Sequence, residues 1–143
     1  MVDTRFPVSV HIMVSLAYHH PELMNSEQLA KIIKTNPTFI RKLVSRLVDA
    51  GLIKSFRGKG GGITISKMPK EISLKEIYLA SLEEKPLLCT PQKPVSKACP
   101  VSCSMNEILC NIVGGIEAIT HTYLAKMSLS DLVKKVSNKK EAL

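Results

Sequence analysis

Four cysteines, Cys89, Cys99, Cys103 and Cys110, are the residues of this chain best suited to reactive chemistry, and gaps of nine, three and six residues separate them. Thiolates suit iron–sulfur clusters and zinc, so a cluster or another soft metal held by Cys99, Cys103 and Cys110, with Cys89 or an outside ligand, is one reading. A thiol switch is a second. Cys103 stands beside the expected start of a long helix, where an N-terminus favours the thiolate and its oxidation to a sulfenic acid or a disulfide. Small-residue packing is a third, most directly for Cys110 inside that helix. A structural disulfide framework is not expected, because a chain of 143 residues can bury a core without one. His11, His19, His20 and His121 show no metal-ligand or catalytic spacing. Paired carboxylates, a nucleophile with its base and a cofactor loop are equally missing from the pattern, so an enzyme is the least supported class.

The other chemistry is electrostatic. Net charge is +8, and residues 31 to 70 hold ten Lys or Arg against one acid, Asp49, a local balance of +9. Positive charge gathered in one 40-residue block fits a polyanion-binding surface. Four of the seven glycines fall at positions 58, 60, 61 and 62, within RGKGGGITIS. This is no phosphate-binding loop of the G-x-x-x-x-G-K-[ST] type, since the β-branched run ITIS stands where the helix should follow.

The elements that position these residues can be read in turn. Phe6, Val10, Met13, Val14 and Ala17 recur at helical spacing from Arg5 to Tyr18, with Pro7 in the first turn. Asn25 and Gln28 make a capping box for a short second helix whose face carries Leu29, Ile32 and Ile33. Asn36 as N-cap and Pro37 as first helical residue open a third helix that ends before Gly51. At 100° per residue, Phe39, Ile40, Leu43, Val44 and Leu47 share its core side, and Thr38, Arg41, Lys42 and Ser45 share the other. LIKSFR and ITIS then read as a hairpin with a basic, glycine-rich tip. Ser73 and Glu76 cap a fourth helix through about Leu82, and residues 84 to 103, rich in proline and cysteine, read as an irregular connection. Ser104 and Glu107 read as the capping box of a long helix. Its residues Met105, Leu109, Ile112, Ile116, Ile119 and Tyr123 step by 4, 3, 4, 3, 4, the spacing of a helix that pairs with another. Because no other long helix exists to cover that stripe, pairing with a second copy is expected. SLSDLVKK should form a short last helix before a charged, frayed end.

The fold expected is mainly α with a small β-hairpin: a winged helix-turn-helix over residues 1–70, a connecting helix over 71–83, a cysteine-bearing loop over 84–103, and a dimerisation helix with a short terminal helix over 104–143. Duplex DNA is the expected partner. Thr38, Arg41, Lys42 and Ser45 can enter the major groove, Arg46 and nearby lysines can meet phosphates, Arg57 and Lys59 can reach the adjacent minor groove, and Asn36 is a further DNA-binding candidate. No run approaching the length of an apolar membrane span and no leader pattern is read, so a cytoplasmic protein without a membrane partner is expected.

The run from RFPVSVHIMVSLAYH to RGKGGGITIS resembles the DNA-binding domain of the Rrf2 family of bacterial transcriptional regulators, which includes the regulator of iron–sulfur cluster assembly. The shared features are L-x-x-A-G-L-I at the end of the helix-turn-helix, here Leu47, Ala50, Gly51, Leu52 and Ile53, and a wing R-G-x-x-G-G, here Arg57, Gly58, Gly61 and Gly62. Ile63 stands where the family wing usually has an aromatic residue. The resemblance implies a homodimer on a pseudo-palindromic operator, most often as a repressor. Cluster-binding members space three cysteines roughly as C-x5-C-x5-to-7-C, and only the Cys103–Cys110 gap fits; Lys97 stands where the remaining ligand should be. No cofactor is therefore expected, with an iron–sulfur cluster as the alternative to a redox or thiol-reactive signal. An alternative of another class is a winged-helix protein-interaction module without specific DNA binding.

Overall fold

A computed structural model of the protein describes residues 2–86 and 98–142. The chain begins with α1 (Arg5–His19), continues through α2 (Ser26–Ile33) and α3 (Pro37–Asp49), and turns into an antiparallel hairpin of β1 (Ile53–Phe56) and β2 (Gly62–Ile65). A 3₁₀ turn, Pro69–Glu71, leads to α4 (Leu74–Ser81), α5 (Pro100–Ala125) and α6 (Leu129–Ala142).

The core is built around α1, which meets α2, α3, α4, α6 and β2. The buried stripe of α1 steps through positions 9, 12, 13 and 16, at helical spacings of three, one and three. Ile12, Met13 and Leu16 are fully buried, with Ser9 among them, while Phe6, Val10, Val14 and Ala17 pack from the flanks. The face expected from sequence is thus one flank of the true one, and of its residues only Met13 is fully buried. In α2, Leu29 is buried as expected, Ala30 joins it, and Ile32 is exposed.

Local capping fixes the element starts. Asn25 Oδ1 accepts the Gln28 N–H at 2.8 Å and Gln28 Oε1 accepts the Asn25 N–H at 2.9 Å, closing the box at the start of α2. The Ser73–Glu76 box opens α4 in the same way. The α5–α6 turn is tied back to the segment before α4: the Leu74 N–H donates to the Met127 carbonyl at 2.9 Å, and the Leu129 N–H to the Ile72 carbonyl at 2.8 Å. Ile72 and Leu129 are both fully buried there.

Two boundaries and one composition reading differ from expectation. The long helix starts at Pro100, with Cys99 as N-cap, so Ser104 and Glu107 lie inside it rather than at its start. Proline at the first helical position has its φ preset and no N–H to orphan, and it outweighs a capping pattern one turn later. The last helix is not short: α6 runs fourteen residues, opened by a reciprocal cap in which the Ser128 N–H donates to Asp131 Oδ2 and the Asp131 N–H to Ser128 Oγ. Contrary to the reading of the sequence, α5 is also long and apolar enough by composition to cross a membrane. Here its C-terminal half packs against α4 through a polar contact. Tyr78 Oη donates to Glu117 Oε1 at 2.7 Å, and His121 Nε2 lies 3.2 Å from Glu117 Oε2.

Candidate nucleic-acid interface

Two turns set the angle between α2 and α3. Helix α2 ends on Lys34, whose φ of +59° is the left-handed value more usual for glycine. Asn36 is extended, its Oδ1 accepting the Thr38 N–H at 2.7 Å, and Pro37 begins α3. The Asn36 carbonyl oxygen is therefore committed to the cap, and of that side chain only the amide N–H groups can reach outward.

Ile40, Leu43, Val44 and Leu47 hold α3 against the core. Thr38, Arg41, Lys42 and Ser45, at spacings of three, one and three, are all exposed and fall together on the opposite side, as the periodicity predicts. Arg41 Nη2 lies 3.8 Å from Glu27 Oε1 on α2, an open surface contact between two exposed side chains.

Arg46 departs from expectation. Its guanidinium turns inward, Nη1 donating to the Ser81 carbonyl at 2.9 Å and Nε lying 3.2 Å from Glu83 Oε1, and its side chain is only 15% exposed. An arginine held by the end of α4 is not available to a phosphate. Arg46 ties α3 to α4 instead.

The hairpin pairs Ile53 with Ile65, Lys54 with Thr64, Ser55 with Ile63 and Phe56 with Gly62, leaving residues 57–61 as the tip. Arg57 and Lys59 are exposed there. Gly58 and Gly60 have φ of +91° and +80°, values that side-chain-bearing residues rarely adopt. At the base of the wing, Met24 forms a bridge to Ile63, with N–H···O distances of 3.0 and 2.8 Å. A Cβ on Gly62 would sit 2.8 Å from the Met24 carbonyl oxygen, so glycine is required by that close approach. This third pairing, invisible to local pattern, fixes the wing beside the start of α2. Ile63 and Ile65 are buried and anchor it.

The thiols are distributed along α5. Cys99 caps it, the Cys103 N–H donates to the Cys99 carbonyl at 3.0 Å, and Cys99, Cys103 and Cys110 are exposed. Cys103 thus sits one turn inside the helix rather than beside its N-terminus, and Cys99 takes the terminal position. At 100° per residue the three lie on one side of α5, the side that carries Glu117 and His121 further along. Cys89 lies outside the described residues. Among those described, no group of three or more His, Cys, Asp or Glu is gathered so as to hold a metal.

On the other side of α5, Ile112, Ile116, Ile119 and Tyr123 are exposed, Ile119 by 72% and Tyr123 by 64%, while Met105 and Leu109 are half-buried. His121, which sequence spacing left without a role, meets Tyr78 edge to face at 5.8 Å, and Tyr78 meets Phe6 of α1 in the same way at 5.3 Å.

The model of the Rrf2 family, described as "Iron-dependent Transcriptional regulator", matches residues 2–135. YwnA of Bacillus subtilis (strain 168), an inferred HTH-type transcriptional regulator, is 29% identical over 133 residues, covering 93% of this chain and 97% of that protein. Two solved structures share the fold. CymR (YrzC), the global cysteine regulator of B. subtilis, gives a TM-score of 0.64 at 24% identity over 94% of this chain and 97% of that one. IscR of T. potens gives 0.68 at 21% identity over 95% of this chain and 88% of that one.

Proposed function

The chain belongs to the Rrf2 family of transcriptional regulators, and on that footing we propose that it acts in the cytoplasm as a homodimeric repressor that reads a two-fold DNA operator. The observation that carries this reading is the exposed row Thr38, Arg41, Lys42 and Ser45 on a helix whose opposite side is fully committed to the core. Asn36 is exposed at the N-cap of the same helix, and Arg57 and Lys59 are exposed on the wing tip. Side chains of this kind at the start of a recognition helix can reach base edges in the major groove, and a basic wing tip can follow the neighbouring minor groove. Homodimerisation is supported by the apolar stripe of Met105, Leu109, Ile112, Ile116, Ile119 and Tyr123, most of which one chain leaves exposed to water.

The signal is proposed to act on the thiols of Cys99, Cys103 and Cys110, together with Cys89, by oxidation or by a thiol-reactive compound. A second reading, an iron–sulfur or metal sensor, is favoured by one observation: the family model that matches residues 2–135 is described as that of an iron-dependent transcriptional regulator, and thiolates are the ligands such centres use. Anaerobic purification with iron, zinc and labile-sulfide quantification separates the two. The thiol reading expects no stoichiometric iron and an oxidant-dependent operator affinity that Cys-to-Ser variants lose; a brown protein with visible absorption and labile sulfide would replace it with the cluster reading.

DNA binding itself is tested by fluorescence anisotropy on a panel of genomic fragments over a salt series. Affinity should differ strongly between fragments and fall steeply with salt, since each phosphate contact contributes a slope of about −0.9 in log K against log salt. Arg41→Ala should cost about 1–3 kcal/mol and relax the preference at one position of each half-site, whereas Lys59→Ala should weaken all fragments alike. Uniform affinity across the panel would instead favour a protein-interaction module.

A further inference from the structure

Between α3 and the wing runs a cleft of about 490 Å³. Three hydroxyls line it, Ser26 from the first turn of α2, Ser45 from α3 and Ser55 from β1, together with the guanidinium-bearing Arg41 and Arg57, over an apolar floor that includes Val44. No carboxylate is among its lining residues. Hydroxyls and guanidinium groups at the rim of one concavity match a tetrahedral oxyanion, whose oxygens accept from every side. A single base edge offers fewer acceptors, all in one plane, than these groups can donate to together.

The position of the cleft names the oxyanion. A major groove and the minor groove next to it are separated by one sugar–phosphate strand. If α3 lies in the first and Arg57 and Lys59 follow the second, that strand must pass between α3 and the wing, and this cleft is the space between them. We propose that the cleft seats one backbone phosphate per half-site, with the Ser26, Ser45 and Ser55 hydroxyls donating to its non-bridging oxygens and Arg57 flanking it, while Arg41 at the edge of the cleft stays with the bases. The proposal rests on the DNA-binding reading above. It adds Ser26 and Ser55 to the interface and moves Ser45 from base contact to phosphate contact. A seated phosphate carries no sequence information, but it fixes the register at which Thr38, Arg41 and Lys42 meet the bases.

The test uses the full chain and a duplex that it selects from a randomised 30-base-pair pool. Copies of that duplex are made, each with one phosphate replaced by a neutral methylphosphonate. One position in each half-site should lose about tenfold or more in affinity, as expected for hydrogen bonds to a charged group. Ser55→Ala and Ser26→Ala should bind the unmodified duplex more weakly and should lose their sensitivity at that position alone, while Ser55→Thr, which keeps the hydroxyl, should retain it. If the duplex binds specifically but no methylphosphonate effect depends on Ser26 or Ser55, the phosphate seat is wrong and the DNA-binding reading stands. If no duplex is enriched, both fall together.

Discussion

At the scale of single residues, Arg41 and Arg46 show how five positions along a helix separate two fates. Arg41 points outward with 56% of its side chain exposed, and Arg46 points at the Ser81 carbonyl and Glu83 with 15% exposed. Both are arginines in a basic block, and composition cannot divide them. What does so is the end of α4, 35 residues further along the chain, which supplies the acceptors. Arg46→Ala should cost about 1–3 kcal/mol of stability, the range for leaving a buried acceptor, here the Ser81 carbonyl, unpaired, and leave the salt slope of DNA binding unchanged; a slope shallower by about one unit in the salt titration would mean that Arg46 meets a phosphate after all. Gly62 makes a second residue-scale case. Its glycine-rich setting was legible as a wing tip, but the reason for this particular glycine, the Met24 carbonyl against it, lies in a non-local pairing. Gly62→Ala should lower the urea midpoint by the equivalent of about 1–3 kcal/mol, as overpacking does.

At the scale of elements, the parts of the fold written in local signals were legible and the parts set by distant contacts were not. The Asn25–Gln28 and Ser73–Glu76 boxes could be read because the cap and its partner are three residues apart, and Pro37 after Asn36 marked α3 for the same reason. The Ser104–Glu107 pattern is chemically the same box, yet it sits inside α5, since nothing in four residues says that Pro100 has already begun the helix. The Met24–Ile63 bridge and the Leu129–Ile72 hydrogen bond join segments far apart in sequence, and no period announces them. The α4 box also carries a titration. Burial works to raise the pKa of Glu76, but the Ser73 N–H, the Lys67 ammonium at 3.2 Å and the Ser73 hydroxyl together hold it below the ordinary value of 4.5. A carboxyl whose folded pKa is depressed contributes stability in full above its unfolded value and loses it as pH falls through the folded one. The stability difference between the parent and Glu76→Gln should therefore be constant above pH 4.5 and shrink below it. Urea midpoints measured across that range check this, and a difference that persists in acid would contradict it.

At the scale of the whole molecule, α5 has two unlike sides with two unlike tasks. One side reaches the DNA-binding half of the chain through Tyr78, Glu117 and His121, with Phe6 of α1 behind them, and carries Cys99, Cys103 and Cys110 further toward its start. The other leaves Ile112, Ile116, Ile119 and Tyr123 exposed. Heptad spacing made that stripe legible in the sequence. That the opposite side holds both the thiols and the contact with α4 was not, because the true start of the helix and the Tyr78 partnership both lie outside the local pattern. A thiol event on α5 would act on the same side of the same rigid element that supports the DNA-binding half, which is how a signal at the thiols could alter DNA binding. Ile119→Glu should put a charge at the centre of the stripe, convert a dimer into monomers in sedimentation equilibrium, and weaken DNA binding by removing the second half-site. The most direct test of the account is selection of duplexes from a randomised pool by the purified chain, with the sequences and the stoichiometry of the complex both determined. The account predicts two inverted half-sites with centres about one helical turn apart, or a multiple of it, bound by two chains. Enrichment of no common sequence, or of a single half-site bound by one chain, would contradict it.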